Sequence, residues 1–457
     1  MTWANRIAFI LICATIIFTT MAYGAVHQPI LALFYLLITA ILILWSVDGL
    51  KSGTARFNRS PIQMPLLAAA AYAVVQTIPF GQIAETAGLS GIPRTISLDP
   101  FATQMSALHF FALFIFLSAS LTFVDSAARI RKLVALIAIF GFVYSFFAIL
   151  QSVLSPGKIY GIYEARFAVP FGSFVNRHNF ASYMEMTMSV PLGLMFVGAV
   201  SKDKRLLYLT AIALMGVALL LSGSRGGLVA LLAEIILLLM LTTGAGSRGG
   251  LLIKAGFAIL LIGAIVIGSI FIGGESSLTR IAETAASSDV TTDRGHIWSV
   301  TKDVIIQNMP LGAGFGAFGV AYTPFDDRSG LERVEQAHND YLQVAADAGI
   351  IGVIIGLFFL FWLFRIGLKA AKTENLYRRG VAVGALAGCF AILVHSIFDF
   401  VLHTTAISIL FVTLITLIVA CQSDYDDDIE QPELAKRRKY GQAGSVATMN
   451  IQRPRSK

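Results

Sequence analysis

The stretch Gln336-Ala-His-Asn-Asp-Tyr-Leu-Gln343 is polar, and a largely apolar run, Val344–Leu368, follows it directly. A run of that length spans a bilayer as a helix. His338 therefore lies where an extramembrane loop enters the membrane, and an imidazole held at such a boundary can accept a proton from a substrate in water. The other interpretation is a plain helix start, in which Asn339 or Asp340 caps the span and His338 is only an interfacial polar residue.

The composition is that of a membrane protein rather than a soluble one. The chain has 457 residues, of which 56% are hydrophobic and only 13% are charged, and its mean hydropathy is +0.75. A soluble domain does not carry so much apolar surface, so the sequence predicts a polytopic membrane protein. The three cysteines, Cys13, Cys389 and Cys421, lie in apolar runs and indicate neither a disulfide framework nor a metal cluster.

The apolar runs predict an all-α protein with about twelve transmembrane helices. The predicted spans are Ile7–Tyr23, Pro29–Val47, Ile62–Phe80, Ala102–Val124, Leu133–Leu154, Phe180–Val200, Leu206–Leu221, Leu228–Thr242, Leu251–Ile272, Tyr341–Phe364, Gly380–Phe398 and Thr404–Cys421. Residues 1–272 hold the first nine spans and 341–421 hold the last three. One large loop at 273–340 separates them, and we expect the polar tail at 422–457 to be disordered.

Basic residues are distributed unequally between the two sides of the membrane that these spans define. Of the 34 lysines and arginines, 24 fall on the side that carries both termini, and the positive-inside rule makes that side cytoplasmic. The large loop then faces outwards together with His338. The ten basic residues on the outer side, where the rule disfavours them, are Arg94, Lys158, Arg166, Arg177, Arg225, Arg280, Arg294, Lys302, Arg328 and Arg333.

These outer cations suggest an anionic ligand on that face. Arginine recognises phosphate through a planar, permanently charged and bidentate group, so a set of outer arginines can hold a pyrophosphate without a metal. An alternative is that a long outer loop simply tolerates charge, which does not suit Arg225 in its tight turn between two spans. The candidate pyrophosphate-binding residues are Arg225, Arg294, Arg166 and Arg177.

The pentapeptide Gly-Ser-Arg-Gly-Gly occurs twice, at 223–227 and at 246–250. One predicted span separates the copies, so they face opposite sides of the membrane. The first copy shares the outer face with His338, whereas the second is a basic cytoplasmic turn. We therefore assign a function to Arg225 and none to Arg248.

Polar residues near the ends of two spans are candidates to support the site. His178 and Asn179 begin the sixth span on the outer face. His395 and Asp399 come four residues apart near the outer end of the eleventh span, so we expect them to share one helical face. They either form a pair that orients a site residue or make an ordinary polar contact between helices.

Several motif-like strings do not carry the chemistry that they suggest. Gly314-Phe-Gly-Ala-Phe-Gly319 matches a dinucleotide-binding fingerprint, but it follows no predicted strand and opens no predicted helix. Asp424-Tyr-Asp426 lies in the cytoplasmic tail, and Asp326-Asp327 alone is a weak metal signal. We expect no metal, no cofactor and no nucleic-acid partner.

Several segments together resemble the superfamily of O-antigen ligases and O-antigen polymerases, which are glycosyltransferases of the bacterial envelope. His338-Asn339, followed after nine residues by Gly349, is similar to the family's His-Asn-x9-Gly signature. The other similar segments are Arg294-Gly-His-Ile-Trp298, Pro310-Leu-Gly-Ala-Gly-Phe-Gly316, Ser222-Gly-Ser-Arg-Gly-Gly227 and His395-Ser-Ile-Phe-Asp-Phe400. With the twelve-span layout, the resemblance covers most of the chain.

The resemblance implies a GT-C-like fold in the bacterial inner membrane, with an active site that faces the periplasm. It implies a glycan donor linked to undecaprenyl pyrophosphate, an acceptor hydroxyl on lipid A core or another saccharide, and metal-independent transfer with inversion. Arg225 and Arg294 are then pyrophosphate binders, and His338 activates the acceptor hydroxyl. The motifs do not separate ligases from polymerases of O-antigen or exopolysaccharide.

A function of a different class is that of a transporter or flippase for a lipid-linked anion. Such proteins tend to have broken helices and charges at the bilayer midplane, often in repeated halves. Here Glu185 and Glu234 are the main charges within the predicted spans, and the sequence shows no inverted repeat. The outer arginines also argue against a purely structural membrane component.

The charge asymmetry predicts that Arg225 and His338 face the periplasm while Arg248 faces the cytoplasm. Single cysteines placed at these positions, in a chain without its native cysteines, should be labelled in intact cells by a membrane-impermeant thiol reagent at the first two positions only. The reverse labelling pattern would contradict the assignment of the site to the outer face.

Overall fold

The computed structural model describes residues 2–81, 94–165, 168–243, 250, 252–268, 270, 294–327 and 333–422. These residues are mostly helical, with one short two-stranded ribbon, which confirms an all-α polytopic membrane protein. Arg166, Arg248 and the tail beyond Gln422 lie outside the described residues.

The elements are numbered along the chain. They are α1 (Trp3–Met21), α2 (Gln28–Ser52), α3 (Met64–Gln76), α4 (Pro100–Phe123), α5 (Ala127–Leu154), β1 (Lys158–Ile159), β2 (Tyr163–Glu164), α6 (Arg177–Val197), α7 (Arg205–Ser222), α8 (Arg225–Thr242), α9 (Leu252–Gly268), α10 (Arg294–Asn308), α11 (Phe318–Tyr322), α12 (Asp340–Ala370), α13 (Leu376–His395) and α14 (Thr405–Ala420). The two strands pair antiparallel.

The predicted spans correspond one to one with apolar helices. Within the described ranges, nine helices are long and apolar enough to cross a membrane. Three shorter apolar helices, Pro61–Gln76, Leu252–Gly268 and Thr405–Ala420, complete the set of twelve. The large loop differs most from the prediction, because it contains α10 and α11, which the sequence analysis did not anticipate.

The interior of the bundle is built on the close packing of α6 against α13. Gly380, Gly384 and Gly388 recur every four residues and leave one face of α13 without bulky side chains. A Cβ atom at Gly384 would collide with the backbone oxygen of Ser189 on α6, and one at Gly388 would collide with the Ser189 side chain. The two backbones therefore approach closely, and α6 and α13 bring polar side chains together at the end of the bundle that carries His338.

The large loop is attached to a break in α12. Gly349 interrupts that helix with φ 57° and ψ −145°, and a Cβ atom there would collide with the Pro310 carbonyl oxygen. The break leaves backbone N–H and C=O groups of α12 without partners in the helix, and the loop forms hydrogen bonds with them. The Ile350 N–H donates to the Pro310 carbonyl over 2.9 Å. The Ala313 N–H donates to the Ala346 carbonyl over 2.8 Å.

Gln76 at the end of α3 holds the same loop from the other side. Its side-chain amide donates to the Asp347 carbonyl over 2.9 Å, and its side-chain oxygen accepts from the Phe315 N–H over 3.1 Å. The Tyr72 hydroxyl donates to the Leu311 carbonyl over 2.7 Å. Residues 310–316 are thus fixed between α3 and α12. The glycine string at 314–319 serves this packing, in agreement with its rejection as a nucleotide site.

Gly349→Ala should destabilise the protein, because a side chain in this region of φ and ψ costs about 1–3 kcal/mol before any collision is counted. Gly356→Ala is the matched control: it lies in the same helix, and a Cβ atom there meets nothing within 4 Å. Thermal unfolding in detergent should show a lower midpoint for the first variant and an equal or slightly higher one for the second. Equal midpoints would contradict the role given to Gly349.

Candidate active site

His338 is held immediately before α12 in a backbone conformation that non-glycine residues rarely adopt, with φ of 50°. Flanking bonds maintain that conformation. The Trp298 indole N–H donates to the Ala337 carbonyl over 3.1 Å, and the Asp340 N–H donates to the Ser396 carbonyl over 2.9 Å. Strained residues of this kind concentrate at functional sites.

Asn339 caps α12, as the helix-start interpretation expects. Its side-chain oxygen accepts from the Tyr341 and Leu342 N–H groups, each over 3.0 Å. Its amide also donates to the Ile397 carbonyl over 3.0 Å, which ties the start of α12 to the segment after α13. Capping therefore belongs to Asn339, and the His338 side chain is left for another role.

The His338 ring is oriented by Asp399. Nδ1 lies 3.1 Å from Asp399 Oδ1, and the ring packs edge-on against Phe400 with centroids 4.8 Å apart. A carboxylate at Nδ1 favours the tautomer with hydrogen on that nitrogen, so the lone pair lies on Nε2. The His338 side chain is 32% exposed, and no partner of Nε2 occurs among the described residues. Nε2 can therefore accept a proton from a substrate.

Asp399 is shared between His338 and Arg294. Its Oδ2 lies 3.2 Å from Nη2 of Arg294, and Nη1 of Arg294 donates to the Phe398 carbonyl. Burial by itself would raise the pKa of the Asp399 carboxyl, but the hydrogen bond from His338 and the charge of Arg294 hold that pKa well below its usual range. Asp399 is therefore ionised at neutral pH and stabilises a proton on His338.

His395 does not pair with Asp399, so the expectation of one shared helical face is wrong. The reason is that α13 ends at His395, and Asp399 follows a turn. His395 instead makes the interhelical contact that was its alternative interpretation. Its Nδ1 lies 2.9 Å from Glu185 Oε1 and 3.0 Å from Ser182 Oγ, both on α6.

The candidate arginines that the structure describes lie at the N-terminal ends of three helices. Arg177 and Arg225 are the first residues of α6 and α8, and Arg294 is the first described residue of α10. None of the three helices has an acidic residue in its first turn. A cation at a helix N-terminus opposes the helix dipole. Cations and helix N-termini together create a strong positive potential, which favours a bound anion.

His178 links two of these helix starts. Its Nδ1 lies 2.9 Å from Ser224 Oγ, and that oxygen caps α8 by accepting from the Gly227 N–H over 3.2 Å. His178 also lies within electrostatic range of Arg177, Arg294 and Asp399. His178 thus connects the starts of α6 and α8 with the surroundings of Asp399.

The glycines after Arg225 explain why this copy of the pentapeptide differs from a plain turn. A Cβ atom at Gly226 would lie 2.9 Å from His395 Nε2, and one at Gly227 would lie 3.0 Å from Glu185 Oε1. The start of α8 therefore packs directly on the Glu185–His395 pair. Sequence reasoning missed this pair because its members lie on different helices. The four-residue spacing of Gly380, Gly384 and Gly388 is the signal in the sequence that could have pointed to close packing of α13.

A second polar cluster lies beside the site. His296, Asp326 and Asp327 bring their ligand atoms within 4.8 Å of one another, with His296 Nε2 3.4 Å from Asp327 Oδ1. Imidazole and carboxylate are suitable ligands for a divalent cation. Asp327 is 81% exposed, and His296 is two residues from Arg294, about 200° around the helix. The cluster therefore faces away from the Arg294–Asp399 contact. The pair Asp326-Asp327 was visible in the sequence, but the position of His296 beside it was not.

Residues 210–357 match the family model described as O-Antigen ligase. The matched segment runs from α7 to the middle of α12, and it contains Arg225, Arg294 and His338. No curated protein matches the chain.

Asp399→Asn should lower stability while keeping the shape of the side chain. An amide cannot accept at both positions, so its NH₂ group faces either Arg294 or the Nδ1–H of His338. Losing a hydrogen bond to a charged group costs about 1.5–3 kcal/mol. Asp303→Asn, on the exposed face of α10, is the control and should leave the unfolding midpoint unchanged. Indistinguishable midpoints for the two variants would show that Asp399 does not hold both partners.

Proposed function

We propose a specific reaction for this chain, on the premise that the match of residues 210–357 to the O-antigen ligase family model reflects membership of the superfamily of O-antigen ligases and polymerases. The protein transfers a glycan from undecaprenyl pyrophosphate to a hydroxyl of lipid A core or another saccharide. Transfer takes place at the periplasmic face of the bacterial inner membrane. The observation that carries the proposal is His338, whose ring is oriented by Asp399, the carboxylate that also binds Arg294 at the start of α10.

The reaction that suits this geometry is a single displacement. The acceptor hydroxyl gives its proton to His338 Nε2 while its oxygen bonds to the anomeric carbon of the donor. The bond from that carbon to the pyrophosphate oxygen breaks, and its electron pair leaves with undecaprenyl pyrophosphate. Attack opposite the leaving group inverts the anomeric centre. Asp399 stabilises the imidazolium that forms.

Arginine side chains neutralise the charge that develops on the leaving group. Two nitrogens of Arg294 are already bonded to Asp399 and Phe398, and its side chain is 18% exposed. We keep Arg225, Arg294 and Arg177 as candidate pyrophosphate binders, and we give Arg294 a second task in positioning Asp399. Arg166, which lies outside the described residues, stays a candidate on sequence grounds.

The experiment that tests the function is reconstitution of the purified protein with a lipid-pyrophosphate-linked glycan. Lipid A core and a second lipid-linked repeat unit serve as alternative acceptors, and their products distinguish a ligase from a polymerase. We expect transfer to survive EDTA, since arginines rather than a metal neutralise the leaving group. Movement of the donor across the vesicle membrane without transfer would instead support the flippase alternative.

A requirement for added magnesium or manganese would contradict the metal-free proposal. The variant Asp327→Asn then identifies the source of that requirement. If the variant loses transfer in parallel with EDTA treatment, the cluster of His296, Asp326 and Asp327 holds a necessary ion. If it keeps transfer, the ion acts elsewhere.

His338→Ala should reduce transfer by roughly 100- to 10,000-fold, the range that positioned general bases contribute. The variant should insert normally, because Asn339 still caps α12 and the apolar run is unchanged. The measurement is turnover per folded molecule, with donor binding determined separately. Retained turnover would refute the role of base. Lost donor binding would make His338 part of the pyrophosphate site and leave His178 as the next residue to test.

Arg225→Lys should impair transfer markedly, because lysine keeps the charge but loses the bidentate geometry. Arg248→Lys, in the second copy of the same pentapeptide, is the matched control and should be nearly silent. Turnover of both variants under one set of conditions makes the comparison. Equal effects would contradict the distinction between the two copies.

A further inference from the structure

A cavity of about 500 Å³ opens at the end of the bundle opposite His338. It lies between the segment before α3, the C-terminal half of α12 and the end of α14. Arg365, on its wall, lies beyond the break at Gly349 by roughly 24 Å along the helix at 1.5 Å per residue. The lining residues that bear on the argument are Asn58, Ser60, Trp362, Arg365, Lys369 and Gln422.

The cavity wall carries positive charge. Arg365 and Lys369 are exposed and lie one turn apart on α12. In the part of the chain that the structure describes, neither has an acidic partner. The Arg365 guanidinium lies 5.3 Å from the ring centroid of Trp362. This set suits a ligand with anionic oxygen atoms.

An apolar stripe leads away from the two cations along α12. Ile354, Phe358 and Phe361 are exposed by 59%, 42% and 55%, and their spacing places them on the same helical face as Arg365. In a bilayer, that face contacts acyl chains. A ligand that fits both parts has an anionic head and hydrocarbon chains.

We propose that this cavity binds the phosphate head group of an anionic phospholipid, whose acyl chains lie along Ile354, Phe358 and Phe361. Lys369 and Arg365 supply the recognition, and the Trp362 ring packs beside the Arg365 guanidinium. Basic pockets between membrane helices bind such head groups on the cytoplasmic side, which is the side that the charge asymmetry assigns to this end of the bundle. The proposal concerns a site separate from the glycan-transfer reaction and does not depend on it.

Native mass spectrometry of the full-length protein tests the proposal, with phosphatidylglycerol and phosphatidylcholine of identical acyl chains as probes. The wild type should retain phosphatidylglycerol in preference. The variant Arg365→Ala/Lys369→Ala should bind it roughly 20- to 30-fold more weakly, given the usual contribution of each basic residue near an anionic lipid. Lys202→Ala/Lys204→Ala also removes two exposed cations, neither of which lines this cavity, and it should bind like the wild type.

Trp362→Ala removes the ring that packs beside the Arg365 guanidinium, so it should weaken phosphatidylglycerol binding without abolishing it. The unfolding midpoint of each variant shows that weaker binding does not result from misfolding, and a double variant that unfolds early is replaced by Arg365→Gln/Lys369→Gln.

Three results would overturn the proposal. The first is equal retention of the two lipids, or phosphatidylglycerol binding that the double variant leaves unchanged. The second is that inorganic phosphate displaces bound phosphatidylglycerol as effectively as added phosphatidylglycerol does at the same concentration, which would assign the cavity to a free anion. The third is phosphatidylglycerol binding that begins only when residues 423–457 are removed, which would assign the cavity to the chain's own acidic run.

Discussion

One carboxylate, Asp399, is bonded on one oxygen by His338 and on the other by Arg294. These three residues come from three different parts of the chain: the start of α12, the start of α10 and the segment after α13. A buried carboxylate needs partners for its charge, and it has both of them here. The orientation of the His338 ring, the position of α10 and the conformation of the turn after α13 are therefore coupled. A displacement of any one of them leaves a buried charge without its partner.

Two packing features hold these parts in place. Gly380, Gly384 and Gly388 on α13 allow α6 to approach closely. The Glu185–His395 contact then forms under the start of α8. The break at Gly349 gives the large loop a backbone to pair with, and Gln76 closes the loop from α3. The bundle therefore determines where the arginine-bearing helices begin, and the loop determines where α10 meets Asp399. A site at the membrane surface gains its rigidity from helices that pass beneath it.

The sequence was sufficient to predict the transmembrane helices, and it supplied the candidates for the site. Bilayer thickness sets the length of an apolar run, so all twelve predicted spans have a counterpart. Charge asymmetry and motif resemblance selected His338, Arg225 and Arg294, which the structure brings to one end of the bundle. The contacts between helices could not be predicted from apolar runs, charge asymmetry or motifs. The pairing of Asp399 depends on α13 ending at His395, and an apolar pattern does not reveal where a buried helix ends.

The central claim is that the arginine-bearing helix starts hold a pyrophosphate while His338 activates an acceptor. A cryo-electron-microscopy structure with a lipid-pyrophosphate-linked glycan bound tests it most directly. The account predicts phosphates in contact with Arg225 and Arg177, and an anomeric carbon that faces Nε2 of His338. Phosphates seated at the opposite end of the bundle, against Arg365 and Lys369, with no ligand beside His338, would contradict it.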